Sequence, residues 1–259
     1  MSHSRAGKTT AVALLLVTAM ACSSDEPDIA APGSSDATTG SQGDAPSTDA
    51  QPVPTPPGAV YLVAAADEAL GVKASPQGSA PTVKTLAPDE QISGNVVCLV
   101  SQELGDDWLE VYLPTAPGGQ TGWVKRADVS LSRHRFRAEV SRSKHRLVVY
   151  AGEIEALSAP AAIGADAPQA GEQLFITDLV RPPDPAGSYG SYAYGLAGSS
   201  NDQARFRAGS GVVAIHGTND PAALGKDVPT GSIAVGADIL NRLVTTIGLP
   251  LGTPVDVVE

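Results

Sequence analysis

The chain has 259 residues, of which 42% are hydrophobic, 4% aromatic and 17% charged, with 27 Gly and 21 Pro. Its net charge is −11. Affinity for nucleic acid rests on Lys and Arg against phosphate, so a chain this acidic argues against a nucleic-acid partner.

The first 21 residues read as a targeting segment. Arg5 and Lys8 make a basic start, and residues 11–19 are an apolar run too short for a stable bilayer span. Thr18-Ala19-Met20-Ala21 then leads into Cys22. Small residues directly before a Cys resemble the lipobox of bacterial lipoproteins, in which that Cys becomes the lipid-bearing N-terminus. The resemblance implies export and a membrane anchor at Cys22. The other reading is an ordinary secretory signal with an incidental Cys. Cys22 and Cys98 are the two cysteines. With Cys22 lipidated no intrachain disulfide forms, and the folded parts stand on their cores.

Residues 23–57 contain six acids, no Lys or Arg and no aromatic residue. Such a stretch cannot bury enough surface to offset the entropy of ordering it, so the region 22–57 is expected to be a disordered tether. Pro52, Pro54, Pro56 and Pro57 stiffen its end.

Residues 58–131 form the first predicted folded unit. Short β-type runs cover residues 59–65, 70–74, 82–86, 91–99, 108–112 and 122–124. Pro76, Gly78, Pro88, Gly94, Gly105, Pro117, Gly118 and Gly119 stand between them. Many short strands with such punctuation predict a small β-barrel. Cys98 sits in an apolar run and reads as a buried small hydrophobe. Trp108 and Trp123 read as core packing, because large aromatics dominate small cores. Leu70-Gly71-Val72-Lys73-Ala74-Ser75-Pro76, Trp108-Leu109-Glu110-Val111 and Gly122-Trp123-Val124 resemble the opening and closing strands of bacterial SH3-like domains. Such domains accompany cell-wall enzymes, so wall binding through exposed groove residues is a second reading of this unit.

Residues 134–259 form the second unit. Strands are predicted at 136–141, 146–150, 154–159, 171–177, 211–216 and 254–258, with a hairpin turn at Ala151-Gly152-Glu153. Ile239, Leu240, Leu243, Val244 and Ile247 recur at spacings of three and four, which predicts one helix over 237–246. The basic stretch 133–146, with His134 and His145, reads as a solvated linker and first-strand face. No His-Cys or His-Glu spacing marks a metal site, and no motif calls for a cofactor.

Ile215-His216-Gly217-Thr218, then Gly225, then Pro229-Thr230-Gly231-Ser232-Ile233-Ala234-Val235 resembles the catalytic segment of the YkuD-type L,D-transpeptidases. Ser143 to Glu153, Ile163-Gly164-Ala165 and Pro168 to Ile176 resemble further segments of that family in the same order. The resemblance implies a β-sandwich with a short helix, set behind an SH3-like barrel, and action on peptidoglycan stem peptides. In the family a Cys thiolate attacks a stem amide and expels D-alanine. Carried over, His216 is the general base, the backbone of Gly217 orients its other nitrogen, and Gly231 lets the chain approach the acyl carbonyl near an oxyanion hole. Tyr189, Tyr192 and Tyr194 fall in the loop that covers the site.

Three positions depart from the pattern. Ser232 stands where the family has its Cys, Thr230 where it has a His, and Ala234 where it has an Arg. A Cys gives up its proton near pH ~8.5, whereas a Ser hydroxyl needs a well-oriented base and a strong oxyanion hole. Asp220 and Asp227 are near His216 in sequence only. Thr230 could bond Ser232 or substrate; alternatively Thr230 and Ser232 are small turn residues, with Ser232 capping the helix. Three functional readings stand: a serine-dependent enzyme of this type, a catalytically inactive relative that binds or organises cell wall, or a carboxypeptidase or hydrolase that transfers the stem to water.

Overall fold

A computed structural model describes residues 58–88, 94–115, 118–182, 184–187, 189–197, 213–229 and 231–259. The expected signal segment, its lipidation residue Cys22, the tether and Thr230 lie outside these. The described chain is mostly β with one short helix.

The first sheet contains β1 (Tyr61–Ala66), β2 (Leu70–Lys73), β3 (Thr82–Leu86), β4 (Val96–Leu104), β5 (Trp108–Tyr112), β6 (Thr121–Lys125) and β7 (Ser130–His134). Its order is β3-β2-β6-β5-β4-β1-β7, and it curls round one core. Strand β4 makes the bend: Val96 to Leu99 pair with β1, and Val100 to Leu104 pair with β5 across a register shift. Inward residues are aliphatic: Leu62, Leu70, Val72, Leu86, Leu109, Val111 and Val124. Cys98 is buried among them, and burial pushes its thiol up to about 12. Gly122 is part of this packing, since a Cβ there would stand 2.3 Å from Val72 Cγ1.

Both tryptophans lie on the other face. Leu109, Val111 and Val124 point inward, so the alternation turns Trp108, Glu110 and Trp123 outward, and both indoles are half-buried. The sequence reading placed them in the core. Aliphatic residues fill this small interior without them.

The second sheet contains β8 (Phe136–Ser141), β9 (Arg146–Ala151), β10 (Ile154–Gly164), β11 (Gln173–Val180), β12 (Ala193–Leu196), β13 (Ala214–Thr218), β14 (Asp227–Val228), β15 (Ile233–Gly236) and β16 (Pro254–Val258). Its order is β14-β10-β15-β13-β12-β11-β16-β8-β9, with β10 also pairing β9. Two strands turn the corners between layers. The start of β10 pairs with β9, and beyond Pro160 it pairs with β15. Gln173 to Phe175 of β11 pair with β16, and the rest pairs with β12. Proline is tolerated where a strand changes partner. The result is a two-layered sandwich around Leu147, Leu174, Ile176, Tyr194, Leu196, Ile215 and Ile233.

Helix α1 (Ala237–Arg242) continues as a π turn (Leu243–Ile247) and ends at Gly248, where φ is +65°. The predicted apolar stripe packs onto the sandwich core. Tyr194 was expected in a covering loop. It lies in β12, wholly buried, and its hydroxyl donates to the carbonyl of Leu249 at 3.3 Å. The expected linker at 133–146 is absent as such: only Arg135 separates β7 from β8.

The two sheets touch. Tyr61 and Leu99 of the first pack with Phe175 and Ala197 of the second. Gly252, at φ +80°, lies so close to β1 that a Cβ would fall 2.3 Å from Val63 Cγ2. His134 sits at this joint, its Nδ1 accepting from the Phe136 N–H at 3.1 Å. Burial, outweighing contacts with the Gly252 and Phe136 backbone, pushes its pKa down to about 4.

Candidate active site

Register places the candidate residues. In β13, Ile215 points into the sandwich core, so its neighbour His216 points to the opposite face. His216 pairs with Ala193 on one side and with Ala234, in parallel, on the other. Ala193 in turn pairs with Val180. The row Val180, Ala193, His216, Ala234 therefore crosses four strands on one face.

Ser232 continues this pattern. It precedes β15 directly, and its carbonyl accepts from the Gly164 N–H at 2.9 Å, which extends the β10 ladder one step beyond Ile233. Alternation then sets Ser232 on the face of Ala234 and His216. Ser232 thus lies two residues before Ala234, the register partner of His216. His216 is 7% exposed and Ser232 5%.

The imidazole is held on two sides. His216 Nδ1 lies 2.9 Å from the carbonyl oxygen of Gly217. A carbonyl only accepts, so Nδ1 carries the proton and, in the neutral ring, Nε2 is the basic atom. The Tyr189 ring meets the imidazole edge-on, with centroids 4.8 Å apart. Gly217 also brings α1 close: a Cβ there would stand 3.3 Å from Leu240 Cδ2 and 3.5 Å from Ala237 Cα. Gly190, at φ +67°, packs directly against Gly217.

Asp220 and Asp227 have other partners. Asp220 caps the short turn Pro221–Ala223 by accepting from the Ala222 N–H at 3.0 Å. Asp227 lies 3.1 Å from His145 Nε2. Ser232 does not cap the helix, because β15 intervenes and Gly236 holds the N-cap without a side-chain bond. At Gly231 a Cβ would meet the Asp166 carbonyl oxygen at 3.6 Å and Val213 Cγ2 at 3.8 Å, which are ordinary contacts. Ala234 places a methyl beside His216, where the family pattern carries a cation.

Sequence reasoning missed Asp178. It is 4% exposed and pairs with Gly195, which pairs with Ala214. Its row runs beside that of His216, on the same face. The signal was present: one acid stands inside the otherwise uncharged strand Gln173–Val180. Among the described residues, no group of three His, Cys, Asp or Glu could hold a metal ion.

No family model matches the chain, and no curated protein does. Solved structures do. An L,D-transpeptidase from Mycobacterium tuberculosis H37Rv matches over 74% of this chain and 94% of its own, with 13% identity and a TM-score of 0.42. Bd1075 of Bdellovibrio bacteriovorus matches over 49% of this chain and 48% of its own, with 22% identity and a TM-score of 0.37. The L,D-transpeptidase of Xylanimonas cellulosilytica matches over 47% of this chain and 59% of its own, with 15% identity and a TM-score of 0.35. The chain thus spans about half the length of several structures it resembles. The functional reading below rests on the chain's own residues.

Proposed function

We propose that the chain is an exported, lipid-anchored relative of the L,D-transpeptidases that acts on peptidoglycan stem peptides through Ser232. The observation that carries this reading is that two buried polar residues lie on one face: His216 in β13, and Ser232 two residues before Ala234, the register partner of His216 in the parallel strand β15. Buried polar groups reduce stability unless they are satisfied, so they concentrate where chemistry needs them. The Gly217 carbonyl takes the orienting role that a carboxylate plays in serine triads.

In this reading His216 Nε2 takes the Ser232 hydroxyl proton as Oγ attacks the carbonyl carbon preceding the terminal D-alanine. The amide C–N bond breaks. Protonated His216 returns the proton to the departing amine, leaving an ester on Ser232 and free D-alanine. Water or an acceptor amine then attacks the ester, and Oγ regains a proton through His216. The SH3-like character of the first sheet and the anchor at Cys22 rest on the sequence motifs. They would hold the enzyme at the membrane, facing the wall.

A second reading, a wall-binding relative without turnover, is favoured by one observation. Ala234 is the strand partner of His216 and offers no cation there. The full chain incubated with a disaccharide-tetrapeptide separates the two. Release of D-alanine, followed by mass spectrometry and lost in Ser232→Ala, is expected from the enzyme. No release from a folded protein would sink it and leave the wall-binding relative.

A further inference from the structure

The first sheet carries a cleft far from His216 in sequence. It is an open surface cleft of about 580 Å³, with Gly78, Asp106, Asp107, Trp108, Lys125 and Arg126 among its lining residues. Its volume falls within the range of roughly 300–1,000 Å³ common for small-molecule sites. The cleft is framed by main chain. The hairpin turn after Leu104 bends at Gly105, with φ +58°, and presents Asp106 and Asp107. The Arg126 N–H donates to the Asp107 carbonyl at 2.8 Å, which ties that turn to the end of β6. Glu103 pairs with the Arg126 guanidinium and fixes its direction. Trp108 pairs with Lys125 across the β5–β6 ladder, so indole and ammonium rise from the same face.

The lining chemistry selects a ligand class. An indole offers a flat apolar face. Asp106 and Asp107 accept hydrogen bonds, while Lys125 and Arg126 donate them. Glu103 already neutralises Arg126, which leaves Asp106, Asp107 and Lys125 with a single net negative charge, so a phosphate-rich ligand is not matched. A pyranose ring fits all three features. Its C–H face stacks on an aromatic ring, and its hydroxyls both donate and accept.

We propose that this cleft is a saccharide-binding site for a β-linked oligomer of N-acetylated amino sugars, with Trp108 as the stacking platform. The acetamido carbonyl would accept from Lys125 or Arg126, and hydroxyls would donate to Asp106 and Asp107. The choice of an N-acetylated sugar rests on the proposed wall function; the saccharide class rests on the cleft alone.

The test uses intrinsic fluorescence, since Trp108 and Trp123 are the two tryptophans of the chain. Trp123→Phe leaves Trp108 as the sole reporter. Titration of that full-length variant with triacetylchitotriose should give a saturable emission change. Calorimetry on the wild-type chain should give the same affinity. Trp108→Ala should weaken calorimetric binding about tenfold or more, the loss of an aromatic stacking contact. Asp107→Asn, an exposed change that spares the fold, should weaken it several-fold. Ser232→Ala should leave it unchanged, so failure of the hydrolytic reading would not be mistaken for failure of this one. The proposal is overturned by absence of saturation, or by affinity unchanged in both Trp108→Ala and Asp107→Asn. Equal Trp108-dependent binding of the stem tetrapeptide without sugar would also overturn it.

Discussion

The two sheets handle polarity in opposite ways. Among the described residues, the Ser, Thr, Asp, Gln and His side chains that are buried whole belong to the second sheet and its connections: Ser141, Gln173, Thr177, Asp178, His216, Ser232 and Thr253. The interior of the first sheet is aliphatic apart from Cys98, and its tryptophans lie outside. A buried polar group must find a partner or cost stability; Ser141, Thr177 and Thr253 find backbone carbonyls and serve the fold. The first sheet optimises its core and leaves its outer surface for recognition. The second accepts polar burial, and two of those residues share the His216 face.

The contrast can be broken in four places. The largest expected effect is at His216. His216→Gln keeps a donor for the Gly217 carbonyl but removes the base. It should lower kcat/KM for D-alanine release by about 10³-fold or more while the melting temperature stays near wild type. A variant with near wild-type turnover would detach the buried polar pair from chemistry.

Next is the joint. Gly252→Ala drives a methyl into Val63 at a backbone angle that disfavours any side chain. It should destabilise the protein by roughly 1–3 kcal/mol in denaturant titration. If stability were unchanged, the contact between the sheets would not contribute to folding.

A smaller effect is expected at Tyr189, whose ring restrains the imidazole from one side. An edge-to-face pair is worth about 1 kcal/mol, so Tyr189→Leu should lower kcat about fivefold with little change in KM. A rise in KM alone would instead make Tyr189 a substrate contact.

The smallest effect is the pH response of the joint. His134 is held neutral, with its pKa pushed down to about 4 from an ordinary value near 6.5. Between those values the unfolded chain binds the extra proton, so His134 contributes its full stability above about pH 6.5. That contribution falls as pH drops toward 4. Melting temperatures of wild type and His134→Gln should therefore converge on acidification through this window. Parallel curves would remove His134 from the acid response.

Much of the architecture was legible because alternation and turn residues are local signals. Strands β3 and β5 were read to the residue, and the stripe from Ile239 to Ile247 located the helix. What failed was tertiary. The run Ser130–His134 offers only Leu131 as an apolar residue and becomes a strand because β1 supplies its ladder. Ala193–Leu196 was read as loop, yet Tyr194 is drawn inward by the sandwich core. The Ile233–Gly236 strand lies hidden in the short run between Ser232 and the helix start at Ala237. For the candidate site, the motif singled out His216, Gly217 and Ser232, and strand register sets His216 and Ser232 on one face. The motif could not supply Asp178, which reaches the same face only through pairing with β12.

Acylation of Ser232 is the step that separates an enzyme from a wall-binding relative. The full chain should be mixed with disaccharide-tetrapeptide, quenched in acid, digested and analysed by mass spectrometry. A peptide containing Ser232 should carry the stem minus D-alanine, be absent in Ser232→Ala and accumulate when acceptor amine is withheld. D-alanine release without any such adduct, and undiminished in Ser232→Ala, would contradict acylation of Ser232.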